Sequence, residues 1–127
     1  MKTITVAKLH EAMKAQGVGP YQEDIAFRCP MCNTVQSIRS LMNAGATKEE
    51  AEKRIAFSCE GRLRNAPSAK NGKPGLKNIR GCDWTLGGLL KLHTIEVITE
   101  DGVHHPRFEL ANQYEAKELV REMTRFP

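Results

Sequence analysis

The chain carries four cysteines, and their spacing limits its possible folds more than any other feature. Cys29 and Cys32 stand in Cys-Pro-Met-Cys, Cys59 follows, and Cys82 comes last. A Cys-x-x-Cys turn sets two sulfurs about one tetrahedral edge apart, and thiolates bind Zn2+ tightly in sets of four. The pattern predicts a zinc ribbon whose second ligand pair has been pulled apart, with 22 residues between Cys59 and Cys82.

With 127 residues, 40% hydrophobic and 27% charged, the chain suits one soluble domain whose core is modest for its length. A metal is expected to supplement that core. The opening Met-Lys-Thr-Ile-Thr-Val lacks the apolar stretch of a signal peptide, and the most apolar run, Leu86 to Leu92, is too short to span a bilayer. The expected setting is a reducing cytoplasm, where paired cysteines are metal ligands more often than disulfides. Free or redox-active thiols are the alternative.

Charge is uneven along the chain. The formal net charge of +4 divides into +2 for residues 1–59, +5 for 60–82 and −3 for 83–127. Zinc held by four thiolates lowers the total to about +2, because the ligands lose their protons. Net charge alone therefore does not argue for nucleic acid, but a local basic patch still attracts phosphates.

Periodicity predicts an α+β domain. Thr3 to Val6 reads as extended, and Ala7 to Gln16 as a helix with Leu9, Ala12 and Met13 on one face. Asp24 to Arg28 alternates like a strand leading into Cys29. Asn33 or Thr34 is expected to cap a helix reaching about Ala44, with Val35, Ile38, Leu41 and Met42 at helical spacing. Thr47 to Glu50 reads as a capping box for a second short helix. Ile55-Ala-Phe-Ser-Cys59 repeats Ile25-Ala-Phe-Arg-Cys29, which predicts a second strand approaching the metal. His93 to Thr99 and Pro106 to Ala111 form an expected hairpin about Asp101-Gly102, and Asn112 with Glu115 opens a last helix. Its buried stripe is Ala116, Leu119, Val120 and Met123.

Residues 60–81 hold four glycines, two prolines, three asparagines and the basic side chains Arg62, Arg64, Lys70, Lys73, Lys77 and Arg80. No amphipathic period runs through them, so a flexible basic loop is expected, pinned at both ends by the metal. Those six side chains are the candidate contacts for a phosphate backbone. Trp84 is either a base-stacking platform or packing over the metal turn. Arg28, Arg62 and Arg80, close to cysteines in sequence, are candidate donors to the sulfurs.

Four thiolates make a closed, structural site, whereas a catalytic zinc keeps a position open to water. His93, and less readily His10, His104 or His105, could replace one sulfur. Metalloprotease, phosphate-loop and dinucleotide motifs are absent, and a zinc deaminase needs His-x-Glu and Pro-Cys-x-x-Cys, whereas His10 is followed directly by Glu11 and Arg28 precedes Cys29. A non-enzyme is expected, with no small-molecule substrate and no membrane partner.

The arrangement Cys-Pro-x-Cys, then Phe-x-Cys, then Gly-Cys-x-Trp-Thr resembles the zinc ribbons attached to bacterial type I topoisomerases, which bind single-stranded DNA. Across most of the chain, Ala26 to Ser37 and Gly81 to His93 are similar to a family of small uncharacterised phage and prophage proteins. That resemblance implies an accessory protein acting in the cytoplasm of a bacterial host, without an established activity. The expectation is a single domain over residues 1–127 with one structural Zn2+ on Cys29, Cys32, Cys59 and Cys82. Its partner is nucleic acid held by the basic loop, or else a host defence or transcription protein that it inhibits.

Overall fold

The computed structural model describes residues 2–19, 21–76, 79–86 and 95–125. Within them lie six short strands and four helices, arranged as two three-stranded sheets. Among the described residues, no helix is long and apolar enough to cross a membrane.

The first sheet has the order β1-β4-β5, with β1 at Lys2–Thr5, β4 at Ile95–Ile98 and β5 at His104–Arg107. β1 runs parallel to β4, with Ile4 opposite Val97, and β4 pairs antiparallel with β5 around the Asp101-Gly102 turn. Pro106 is tolerated because β5 is the edge strand, where a missing N–H breaks no inner ladder. The second sheet has the order β3-β2-β6, built from Val35–Gln36, Phe27–Arg28 and Glu109–Leu110.

The returning strand of the hairpin thus differs from its expected span. It starts at His104 rather than Pro106, and at Phe108 the chain leaves one sheet for the other. Phe108 makes that junction: its N–H donates to the Ala56 carbonyl at 2.8 Å, and its ring is buried against Trp84.

Helix α1, Val6–Ala15, is capped by the Thr5 hydroxyl. Two further caps agree with their sequence signals: Thr47 and Glu50 box the start of α3, Lys48–Arg54, and Asn112 and Glu115 that of α4, Gln113–Arg125. Helix α2 differs. It spans only Ile38–Asn43 and is capped by Ser37 with Ser40, not by Asn33 or Thr34. The chain after Cys32 must first return alongside β2, so Val35 and Gln36 become strand despite their helical spacing. The second Ile-Ala-Phe string is also not a strand. It forms the turn that ends α3, with Ala56 in the left-handed region at φ 62°, and only Ser58 makes a β-bridge, to Thr85.

Among the described residues the core forms three small clusters, and half of the buried members of the largest are the four cysteines, joined by Phe27, Ala56, Leu86 and Phe108. A second cluster sets Ala116 and Leu119 of α4 against Ala26 and Ala111. Gln16, just past α1, is buried between them. Its amide donates to the Ala26 and Ala111 carbonyls at 2.8 and 2.9 Å and accepts from the Ala26 N–H at 2.9 Å. Gln16→Met keeps the volume but strands a buried N–H and a buried carbonyl. Urea denaturation should show a loss of ~2–4 kcal/mol, more than an exposed α1 change such as Lys8→Met would cost.

Candidate metal centre

Each pair of cysteines is held by a tight backbone turn. In the first, the Asn33 N–H donates to the Cys29 carbonyl at 2.9 Å and the Cys29 N–H to the Thr34 carbonyl at 3.0 Å. Asn33 closes this turn in the left-handed region at φ 59°, which asparagine tolerates better than most residues. The second turn is assembled from distant parts of the chain. The Cys59 N–H donates to the Trp84 carbonyl at 3.1 Å, and the Leu86 N–H to the Phe57 carbonyl at 2.9 Å. The Ser58 and Thr85 hydroxyls meet at 2.7 Å beside them.

Glycine makes that second closure possible. A Cβ on Gly61 would stand 2.4 Å from the Cys82 nitrogen, and one on Gly81 would stand 2.5 Å from the Gly61 nitrogen and 2.9 Å from the Cys59 sulfur. The two backbones cross where no side chain fits, and Gly81 also takes φ +87°. Neither glycine announces itself in sequence, where both read as ordinary loop residues.

All four sulfurs then lie within 4.8 Å of one another, and all four residues are buried. Cys29 to Cys82 and Cys32 to Cys59 are both 3.8 Å between sulfurs. Metal–sulfur bonds of about 2.3 Å in a tetrahedron require edges of ~3.8 Å. The donor set, its burial and its spacing therefore fit a metal ion. His93 lies outside the described residues, so its proposed substitution for a sulfur has no structural account. His104 instead pairs with Glu96 at 3.0 Å.

As thiols, the four groups pull one another's proton affinities apart. Cys59 is lowered to about 7, chiefly by its hydrogen bond with Cys29, and Cys32 is lowered by the same partner first. Cys29 is raised, most of all by the hydrogen bond with Cys32. In Cys82 the lowering by Cys29 is outweighed by Cys32, Cys59 and burial, and its affinity rises. Such a cluster holds protons and thiolate charge in a small space, which a divalent cation resolves by replacing the protons.

The sulfurs receive donors other than the expected arginines. The Cys82 N–H donates to the Cys59 sulfur at 3.2 Å and the Gln36 amide reaches the same sulfur at 3.6 Å, while the Cys32 thiol itself donates to the Thr34 hydroxyl oxygen at 3.1 Å. Arg28 pairs with Glu115, and Arg62 donates to the Asp83 carbonyl at 2.7 Å.

Arg80 and Arg64 serve a buried acid that sequence reading passed over. Glu60 is 0% exposed, and Arg80 grips it at 2.8 and 3.0 Å while Arg64 adds a bond at 3.3 Å. Burial works against the charge on Arg80, but the hydrogen bonds and charge of Glu60 outweigh it and hold its proton affinity above the usual value. The Glu60 N–H donates to Gln36 at 2.8 Å, so one glutamine side chain joins this ion cluster to the Cys59 sulfur.

The segment 60–81 is consequently less free than its composition predicts. It opens with a 3-10 turn over Glu60–Arg64, and Lys70 and Lys73 exchange backbone hydrogen bonds across Asn71-Gly72. The Asn33 amide donates to the Gly72 carbonyl at 2.9 Å and ties this tip to the first cysteine turn. Lys70 and Lys73 are exposed, while Lys77 lies outside the described residues. Trp84 is half-buried and stacked on Phe108 with ring centroids 5.7 Å apart.

A family model described as VVA0879-like matches residues 5–111. The chain belongs to the VVA0879-like family. No curated protein and no solved structure matches it. The VVA0879-like match covers all four cysteines and the second sheet, takes in β4 and β5 but only Thr5 of β1, and stops just before α4.

Two substitutions separate crowding from conformational strain. Gly81→Ala is expected to abolish the cooperative unfolding transition, because its methyl collides with backbone and sulfur. Gly102→Ala, at φ +80° with open space around it, should cost only ~1–2 kcal/mol in the same denaturation measurement. Glu60→Gln, which removes the buried carboxylate shared by Arg64 and Arg80 and leaves half-buried Arg80 only the exposed Glu122, should lower stability by ~1–3 kcal/mol.

Proposed function

We propose that Cys29, Cys32, Cys59 and Cys82 hold one structural Zn2+, and that the domain they stabilise is a non-enzymatic binding protein for nucleic acid. The observation that carries the zinc is the set of four buried sulfurs at tetrahedral spacing. Thiolates alone, in that geometry, suit zinc better than a hard cation. Four protein sulfurs also fill the four positions, which leaves none for an activated water.

Support for nucleic acid comes from the tip of the inserted segment. Lys70 and Lys73 project on either side of a two-residue turn that is braced on the first cysteine turn. Arg62 is exposed on the same segment, although one of its nitrogens already donates to Asp83. Arg64 and Arg80 do not belong to this surface, since Glu60 engages both. Contacts of this kind read the backbone charge and carry little sequence preference. A phage or prophage accessory role in a bacterial cytoplasm is the setting supported by the resemblance of Ala26 to Ser37 and Gly81 to His93.

Elemental analysis should find about one zinc per chain, and its removal by a chelator should unfold the domain, because binding energy here is folding energy. In mobility-shift assays, affinity should fall steeply with salt, with a log-log slope near −0.9 for each phosphate contact on duplex DNA. Replacing Arg62, Lys70 and Lys73 with alanine should flatten that slope by ~2–3 while leaving the zinc in place. Arg80→Ala should act on stability instead. Zinc-bound protein that binds no nucleic acid at low salt would remove this reading in favour of a host-protein partner, without touching the metal.

A further inference from the structure

Away from the cysteines, a cleft of about 400 Å3 separates the first sheet from the metal-bearing body. Its volume falls in the range of small-molecule sites. One wall is a single face of the sheet: Ile95 and Val97 alternate along β4 with Thr99 just past its end, and Arg107 and His105 stand opposite Ile95 and Val97 on β5. Leu9 and Met13 of α1 form another wall, and Phe27, Ile55 and Phe108 form the floor. No residue of α1 is fully buried, so the helix turns its apolar side towards this space without filling it. The apolar lining continues past Met13 towards Ile25 and Ile38.

Arg107 is the exception in that lining. It is half-buried, and its described contacts are the Pro106 carbonyl at 2.6 Å and the face of the Phe57 ring at 5.6 Å. Glu52, an exposed residue of α3, also borders the cleft, and among the described residues it forms no ion pair with Arg107. A guanidinium set in an apolar wall with no carboxylate partner among the described residues is matched by an anion that brings an apolar body with it.

We propose that this cleft binds a small amphipathic carboxylate, with its apolar part against Leu9, Met13 and Phe108 and its carboxylate on Arg107. Trp84, the only tryptophan of the chain, stacks on Phe108 and so reports on the floor of the cleft. Titration of the zinc-loaded full chain with decanoate, followed by Trp84 emission, should saturate at one molecule per chain. 1-Decanol, with the same tail and no charge, should bind about tenfold more weakly, as expected for the loss of one charge-assisted pair. Arg107→Gln should weaken decanoate about tenfold and leave decanol unchanged, whereas Lys70→Ala with Lys73→Ala should alter neither. Amide shift mapping on the unmodified protein should place decanoate on α1, β4 and β5. Equal affinities for decanoate and decanol, uptake of many molecules without saturation, or shifts confined to the Lys70–Lys73 tip would each overturn the proposal.

Discussion

The contact on which the rest depends is the crossing of Gly61 over Gly81. There the backbones on either side of a 22-residue insertion come close enough for Cys59 and Cys82 to share one tetrahedron. Much of the largest cluster is gathered around that closure. Phe108 finds its carbonyl partner at Ala56, Trp84 packs on Phe108, and the chain changes sheets above them. Among the described residues, half of the buried members of that cluster are cysteines, so what holds the sulfurs together also holds the apolar side chains packed on them.

Two kinds of polar support surround the sulfurs. Short-range donors, the Cys82 N–H and the Gln36 amide, offset thiolate charge directly. The Glu60 cluster works at longer range by fixing both ends of the insertion, since Glu60 follows Cys59 and Arg80 precedes Gly81-Cys82. Burying a charge pair is seldom a net gain in stability, but losing one partner is costly. The cluster therefore makes the loop-closed arrangement unique more than it makes it strong.

Much of this was legible in sequence. Helix caps at Thr47 and Asn112, the Asp101-Gly102 turn and the stripe of α4 depend on neighbours within four residues, and each stands where its signal placed it. The four cysteines were readable because ligand chemistry overrides context. The repeated Ile-Ala-Phe string was misleading for the opposite reason. The first copy follows a short turn and becomes strand, while the second runs straight out of α3 and takes up its terminal turn. Glu60, Gln36 and Gln16 left no trace, because a buried polar residue and a solvated one are written with the same letter. The basic segment misled too, since the guanidinium that pins a buried acid looks, in sequence, like one awaiting a phosphate.

Among the described residues, the ion-pair braces on the insertion fall at its two ends, at Glu60 to Arg64 and at Arg80, whereas between them the hydrogen bonds from side chains to the rest of the domain are those of Asn33 to Gly72 and Ser68 to Asp83. Closing a loop whose ends are already clamped costs only ~0.6 kcal/mol for each doubling of its length. The exposed turn at Lys70–Lys73 is thus the place on the insertion where the chain can lengthen or change composition at least cost to its scaffold. A grafted peptide spliced at Asn71-Gly72 would be displayed on a rigid base, and natural variation in such a domain has the same freedom to alter what it touches without relearning how to fold.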